Sequence, residues 1–454
     1  MAEVRSALEE QVVAAMREER AALLALLGEL VACDTTARRK GDPPRDEEKL
    51  QRLIEGRMRA AGAAVRVWEP EPIPDDSRFF PPGLDFAGRP QLLATFPGEG
   101  AGGGGGVAAG TSGDGAPARS LLLNGHIDAV NVEPREKWAG DPFVVSERDG
   151  RLYGRGVNDM KGGIAAAVIA LETLARLGVR LSGDALLCTV TDEESSGAGG
   201  WACARDGVGA DAGIAMEGTG FEIWVACRGT LTPTITVAGR AGHAEIRQPH
   251  WRAGGAVNAI EKTLPVFEAI RSLREDWRTR PDHRHPLLSP GDIVPTIVKG
   301  GTWEATYPES CALTCDIMYL PGHVDADGTG RVVEREVRKR IDAAVAADPW
   351  FAEHPLQWRW SEDVVPAEMP ADHPLVAITA AAAGALGREV KVGGLDSWHD
   401  AATFTRFGTP AFSFGPEGGD SAHTIDEWTT LDSLVDHACA LALVAMRWCG
   451  VAGA

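Results

Sequence analysis

Five short segments hold most of the side chains that could do chemistry: NGHIDAV, GVNDMKGG, TDEESSG, AMEGTG and SAHTIDEW. They supply two histidines, His126 and His423, and the carboxylates Asp159, Glu194 and Glu217. Each segment lies just after an apolar run of strand type or in a loop beside a helix start. In an open α/β sheet such loops converge at the carboxyl ends of the strands. Two imidazoles and three carboxylates at one spot form a nitrogen-and-oxygen donor set that suits a pair of zinc ions. A lone H-x-D, a Glu-Glu pair or a loop histidine reads as ordinary surface chemistry. Their joint occurrence, in this order, is what singles them out.

Two details refine the set. In His126-Ile127-Asp128 an extended backbone turns residues i and i+2 to the same side. Asp128 is then placed to accept the second ring N–H of a ligating His126 and fix its tautomer. Glu193 and Glu194 are adjacent, so their side chains diverge. One can ligate a metal while the other faces the substrate as a general base.

These loops need a scaffold, and the rest of the chain is read for it. With 454 residues there is length for two domains. Apolar residues make up 44% and charged residues 24%, the balance of a globular protein. A net charge of −20 argues against nucleic acid as a partner, since phosphate binding needs a basic face. The start, MAEVRSALEEQVVAAMREER, has no apolar signal core, and the best apolar stretch, Leu431–Cys449, carries Asp432, Asp436, His437 and Arg447. A cytoplasmic protein without a membrane span is therefore expected, with its eight cysteines reduced. Cys311 and Cys315 share one face of a strand, which favours packing over a metal site.

Helical spacing covers residues 5–32, 46–61 and 162–177. Strands are expected at 64–68, 91–96, 120–124, 184–191 and 210–216. The run GEGAGGGGGVAAGTSGDGAPA cannot pack a core and reads as a flexible loop. From Thr230 the texture becomes antiparallel, with strands at 232–237, 292–299 and 311–320 and helices at 253–272 and 332–347. After Pro374 the α/β pattern returns with a strand at 410–414 and a last, amphipathic helix. The fold class expected from these elements is α/β: a mixed-sheet domain, 1–228 and 367–454, interrupted by an α+β domain, 229–366, with a cleft between them; the family that the motifs resemble makes these an α/β zinc-hydrolase catalytic domain and its inserted lid.

The motifs GHIDAV, LYGRGVNDMKGG and TDEESSG together resemble the two-zinc family that includes acetylornithine deacetylase, succinyl-diaminopimelate desuccinylase, aminoacylase and carboxypeptidase G. The resemblance runs from LVACDTT, near residue 31, to the last helix. It implies that His126 and Glu217 hold one zinc, that Glu194 and His423 hold the other, and that Asp159 bridges them. It makes Glu193 the general base and Asp128 the partner of His126, and it implies a cis peptide bond after Asp159. His243, in AGRAGHAE, matches a lid histidine that steadies the carbonyl oxygen and comes from the partner subunit in dimeric members. The implied cofactors are two Zn2+ per subunit, with Co2+ as a substitute. Such a pair lowers the pKa of a bridging water to roughly 7, and Glu193 would carry its proton to the leaving amine.

The lid departs from that family. Its usual D-I-R-x-L-P-G reads CDIMYLPG here, with Met318 in place of the arginine, and Ala305 stands where an asparagine is usual. A thioether cannot replace a bidentate carboxylate clamp. Either Arg228, Arg247 or Arg252 takes that role, Arg228 being preferred for its place at the lid entry, or the substrate lacks an α-carboxylate. The expected function is metal-dependent hydrolysis of the amide bond of an N-acyl amino acid or N-acyl amine. A dipeptidase or carboxypeptidase is the second reading, and an inactive metal-binding module the third. The expected partners are a small N-acylated substrate and a second copy of the chain, joined through the lid, with no nucleic acid and no membrane.

Overall fold

The computed structural model describes residues 6–37, 42–74, 77–80, 83–99, 110–111 and 117–453. Most of the glycine-rich run lies outside them. Its described parts, Gly110–Thr111 and Pro117–Ala118, pair as two short strands.

The larger sheet is mixed and nine-stranded. At its centre, strand Leu121–His126 runs parallel to Ala185–Val190 on one side and to Ala212–Ala215 on the other. Both long central strands are buried along their whole length, which is why they read as continuous apolar runs. Strands Gln91–Phe96 and Ala64–Trp68 extend one edge antiparallel. Ala411–Ser413 and Ile223–Cys227 extend the other. Helices Lys161–Arg176 and Leu431–Cys449 pack on one face, with Arg20–Val31 and Ala7–Glu18 outside them. Helices Ala198–Arg205 and Ala401–Arg406 cover the other face.

Three expectations need correction. The single helix over residues 5–32 is two helices, Ala7–Glu18 and Arg20–Val31, broken at Glu19, whose ψ of 8° takes it out of helical geometry. The break lets the first helix lie on Leu431–Cys449 and the second on Lys161–Arg176. The last helix, read as amphipathic, is buried on almost every side. Its charged Asp436 is held by Arg388 at 2.8 Å. Among the described residues no helix is long and apolar enough to cross a membrane. All eight cysteines are free and buried.

A second sheet, wholly antiparallel, has the order Asp292–Gly300, Ser310–Tyr319, Gly229–Ala238, Gln357–Val364. Cys311 and Cys315 lie on the buried face of Ser310–Tyr319. Helices Ala259–Thr279 and Arg331–Val345 cover that face around Trp277 and Trp350, with Trp358 and Trp360 stacked at the rim. The first of these helices starts six residues later than its apolar spacing suggests. Asn258 caps it by accepting the N–H groups of Ile260 and Glu261.

Candidate active site

Strand Leu121–His126 ends on His126, whose ring is 1% exposed. Its Nε2 lies 2.9 Å from Asp159 Oδ1 and 3.8 Å from Glu217 Oε1. On the far side of Asp159, His423 Nε2 lies 3.2 Å from Asp159 Oδ2 and 3.0 Å from Glu194 Oε2. Asp159 thus offers one oxygen to each of two donor sets, His126–Asp159–Glu217 and Asp159–Glu194–His423. Within each set the ligand atoms lie within 4.8 Å of one another. All five residues expected to bind metal meet at one place.

The loops are held there by unusual local geometry. The peptide bond between Asp159 and Met160 is cis. Asp192, just before the Glu-Glu pair, has φ 60°, and His423 has φ 63°. Left-handed backbone at non-glycine residues costs about 1 kcal/mol or more and tends to mark functional positions. Gly163 lets the buried helix Lys161–Arg176 approach the strand end below Glu217, since a Cβ there would meet the Met216 carbonyl oxygen at 2.1 Å.

Asp128 does a different job from the one expected. The Nδ1 of His126 meets the backbone oxygen of Asp128 at 3.0 Å, while the nearer carboxylate oxygen is 3.7 Å away. The carboxylate instead accepts the backbone N–H groups of Glu193, at 3.2 Å, and Glu194, at 3.1 Å. It caps the short helix Glu193–Ser196, so one residue orients His126 through its main chain and the acidic pair through its side chain. The i, i+2 rule found the right residue and the wrong atom.

The electrostatics bear on what the site holds. Burial pushes the Glu217 carboxyl up to about 8 and Asp128 likewise to about 8. Burial, then Glu217, Asp400 and Glu194, raise Glu193 well above its ordinary value, with His126 opposing. Asp159 and Glu194 lift His423 to about 10. Glu194 Oε1 and Glu217 Oε1 are buried without a hydrogen-bond partner. Crowded acids, orphaned oxygens and two imidazoles answer to positive charge between them, and two divalent cations fit the donor set.

Sequence reasoning missed the residue that organises this loop. Glu427 is fully buried and accepts the backbone N–H groups of Gly156, Asn158 and Asp159 at 3.0, 2.9 and 3.1 Å. It also takes the Arg155 guanidinium at 2.6 Å. Burial raises its pKa and Arg155 pulls it back. The available signal was Glu427 inside SAHTIDEW and Arg155 inside LYGRG, two charges in motif segments with no assigned task. Lys161 is a second missed anchor, buried with its Nζ donating to the Cys33 carbonyl at 2.8 Å.

A cavity of about 400 Å³ opens over the acidic pair, lined among others by Asp159, Glu193, Glu194, Trp224, Leu395, Trp398 and His423. Among the described residues that line it there is no lysine or arginine. Arg228, preferred for the substrate carboxylate, is not there: its Nε donates to the Asp396 carbonyl at 2.7 Å and its NH1 to the Pro290 carbonyl at 3.1 Å. It ties the segment before strand Asp292–Gly300 to the one after strand Val392–Leu395. Arg252 is exposed and pairs with Glu353 at 3.2 Å, and Arg247 is exposed on the lid. His243 is exposed on the lid, with its Nδ1 accepting the Glu245 N–H at 3.3 Å, and does not reach this cavity. His399 is buried beside the fully buried Asp400 and faces neither cleft nor solvent.

Residues 122–447 match the peptidase family M20/M25/M40. The chain belongs to that family. It is a metal-dependent hydrolase of amide bonds. Among curated relatives, the N-formyl-4-amino-5-aminomethyl-2-methylpyrimidine deformylase of Halalkalibacterium halodurans is 28% identical, over 97% of this chain and 97% of that protein. The protein of the same name from Bacillus subtilis is 26% identical over 96% of each. Among solved structures, human carnosine dipeptidase 1 superposes with a TM-score of 0.71 at 15% identity, over 98% of this chain and 100% of that one, a likeness of fold.

The M20 hydrolase's dependence on Glu427 can be checked directly. Glu427→Ala would leave Arg155 buried and unpaired and should destabilise the protein by about 3–5 kcal/mol. Glu427→Gln keeps the size but weakens the hold on the Asp159 amide, and metal content after dialysis should fall. Unchanged urea unfolding for the first and unchanged metal content for the second would contradict this role.

Proposed function

We propose that this hydrolase removes a formyl or similarly small acyl group from an amine that carries an aromatic ring and no α-carboxylate. The observation that carries the reading is the cleft: Trp224, Leu395 and Trp398 beside the acidic pair, with no lysine or arginine among the described residues of its lining. Burying a substrate carboxylate there unpaired would cost several kcal/mol. Met318 and Ala305, which replace the usual arginine and asparagine, point the same way. So do the two full-length relatives named for a formylated aminomethylpyrimidine. A flat heterocycle would find tryptophan faces to stack on.

In this reading the cations are Zn2+, one held by His126, Asp159 and Glu217 and one by Asp159, Glu194 and His423. When bound they supply Lewis-acid polarisation of the acyl carbonyl and acidify the attacking water. Glu193, not engaged in either donor set, takes the proton and returns it to the leaving amine. Asp128 fixes the backbone of both glutamates, so base and ligand keep their spacing. The chain divides into a catalytic unit, 1–228 and 367–454, and a lid, 229–366.

We also propose that the lid joins two copies and presents His243 to the partner's cleft. Supporting this, strand Asp292–Gly300 is an edge strand exposing Ile297 and Val298, and Ile260 and Leu264 are exposed on the adjoining helix. His243 pairs with Thr306 beside this surface, away from the cleft of its own chain. Long apolar edges seldom stay uncovered.

Three outcomes are expected. Turnover should be faster with the formylated aminomethylpyrimidine than with N-acetylornithine, N-succinyl-diaminopimelate or dipeptides; a clear preference for a substrate with a free α-carboxylate would sink the assignment. Glu193→Gln should keep its metal and lose about 10²–10⁴-fold in kcat, whereas Glu194→Gln should lose metal; the reverse pattern would exchange their roles. Light scattering should give a dimer, and mixing inactive His243→Ala with inactive Glu193→Gln should restore part of the activity. A fully active monomer would remove the lid contact from the mechanism.

A further inference from the structure

The lid has a second gathering of ligand-type side chains, remote in sequence from the five cleft motifs. His283 sits in the turn Pro281–His283, after helix Ala259–Thr279. His323 sits in the turn Pro321–His323, after strand Ser310–Tyr319. One ligand atom each from Asp282, His283 and His323 lies within 4.8 Å of the other two. The two imidazole centroids are 4.2 Å apart, and the Trp277 ring stacks on His283 at 4.8 Å.

The second observation is what these rings lack. His283 is 2% exposed, and neither of its nitrogens has a hydrogen-bond partner. The Nδ1 of His323 is buried and unpartnered as well. Buried polar atoms are seldom left this way, and an orphan group calls for an ion or a water. We propose that Asp282, His283 and His323 form a separate metal site on the lid, which takes a borderline divalent cation such as Zn2+.

The local charges agree. Burial, then His323 and Arg280, push His283 down to about 4, and burial lowers His323 too. Both rings are therefore neutral near pH 7, the form that ligates. Asp282 is ionised, held by Arg280 at 2.6 Å. Arg280 also contacts Glu336 and Asp276, so it is outnumbered by acids. Glu336 favours the charged forms of both imidazoles, as a further acid nearby should. A cation here would pin the end of the long lid helix to the turn that follows the strand bearing Met318.

The test is a metal count on the full-length protein. Chelator-stripped wild type and His323→Gln are reloaded with excess Zn2+, dialysed and analysed for zinc per chain. His323 is only partly buried, so this variant should fold and keep its activity. The expected result is one zinc fewer per chain in the variant, with a smaller rise in Tm on zinc addition. Equal zinc in the two proteins would overturn the proposal and leave the rings as an aromatic stack. Should His323→Gln not fold, Asp282→Asn, on an exposed side chain, gives the same comparison. Because the readout is a difference, it holds whatever number of ions the cleft binds, and a fault in the cleft assignment would show instead as lost activity in both.

Discussion

The site depends first on one buried carboxylate. Glu427 gathers three amides of one loop and a guanidinium around two oxygens, and the loop it gathers carries Asp159. An ionised group so deep in a protein is tolerable only when every lone pair is used. Here the donors come from the loop after Tyr153 and the acceptor from the segment after His423. The two halves of the donor set are therefore fastened to one another before any metal arrives. Asp128 repeats the device at the neighbouring corner, with its carboxylate on the amides of Glu193 and Glu194.

Much of this was legible in the sequence, for physical reasons. The central strands are buried on both faces, so they stand out as apolar runs, and their ends mark where polar residues must emerge. His126, Asp159, Glu194, Glu217 and His423 follow such ends or sit in loops beside them. The same logic could not see Glu427 or Lys161, because a charge that serves the backbone has the same letter as a charge that faces water. Nor could it divide labour within Asp128, where the main-chain oxygen and the carboxylate face different partners. The break at Glu19 was hidden because helical spacing continues across it with little change of phase.

Arg228 shows the limit from the other side. It lies between strands Ile223–Cys227 and Gly229–Ala238, and its donors are spent on the carbonyls of Asp396 and Pro290. A guanidinium at a domain crossing has two possible clients, the ligand and the crossing itself, and sequence position does not choose between them. The described lining of the cavity is acidic around the candidate metal ligands and aromatic beyond them. In the proposed function, charge in this pocket would serve the chemistry and shape the recognition.

The two donor sets are unequally sheltered. The His126 ring is almost wholly enclosed, whereas 57% of the His423 side chain meets solvent. Both share Asp159, so the inner set sits behind the outer one like the back seat of a two-door car. If each set holds an ion, the one at the outer set would be the more open to exchange with the medium and the one at the inner set the slower to leave.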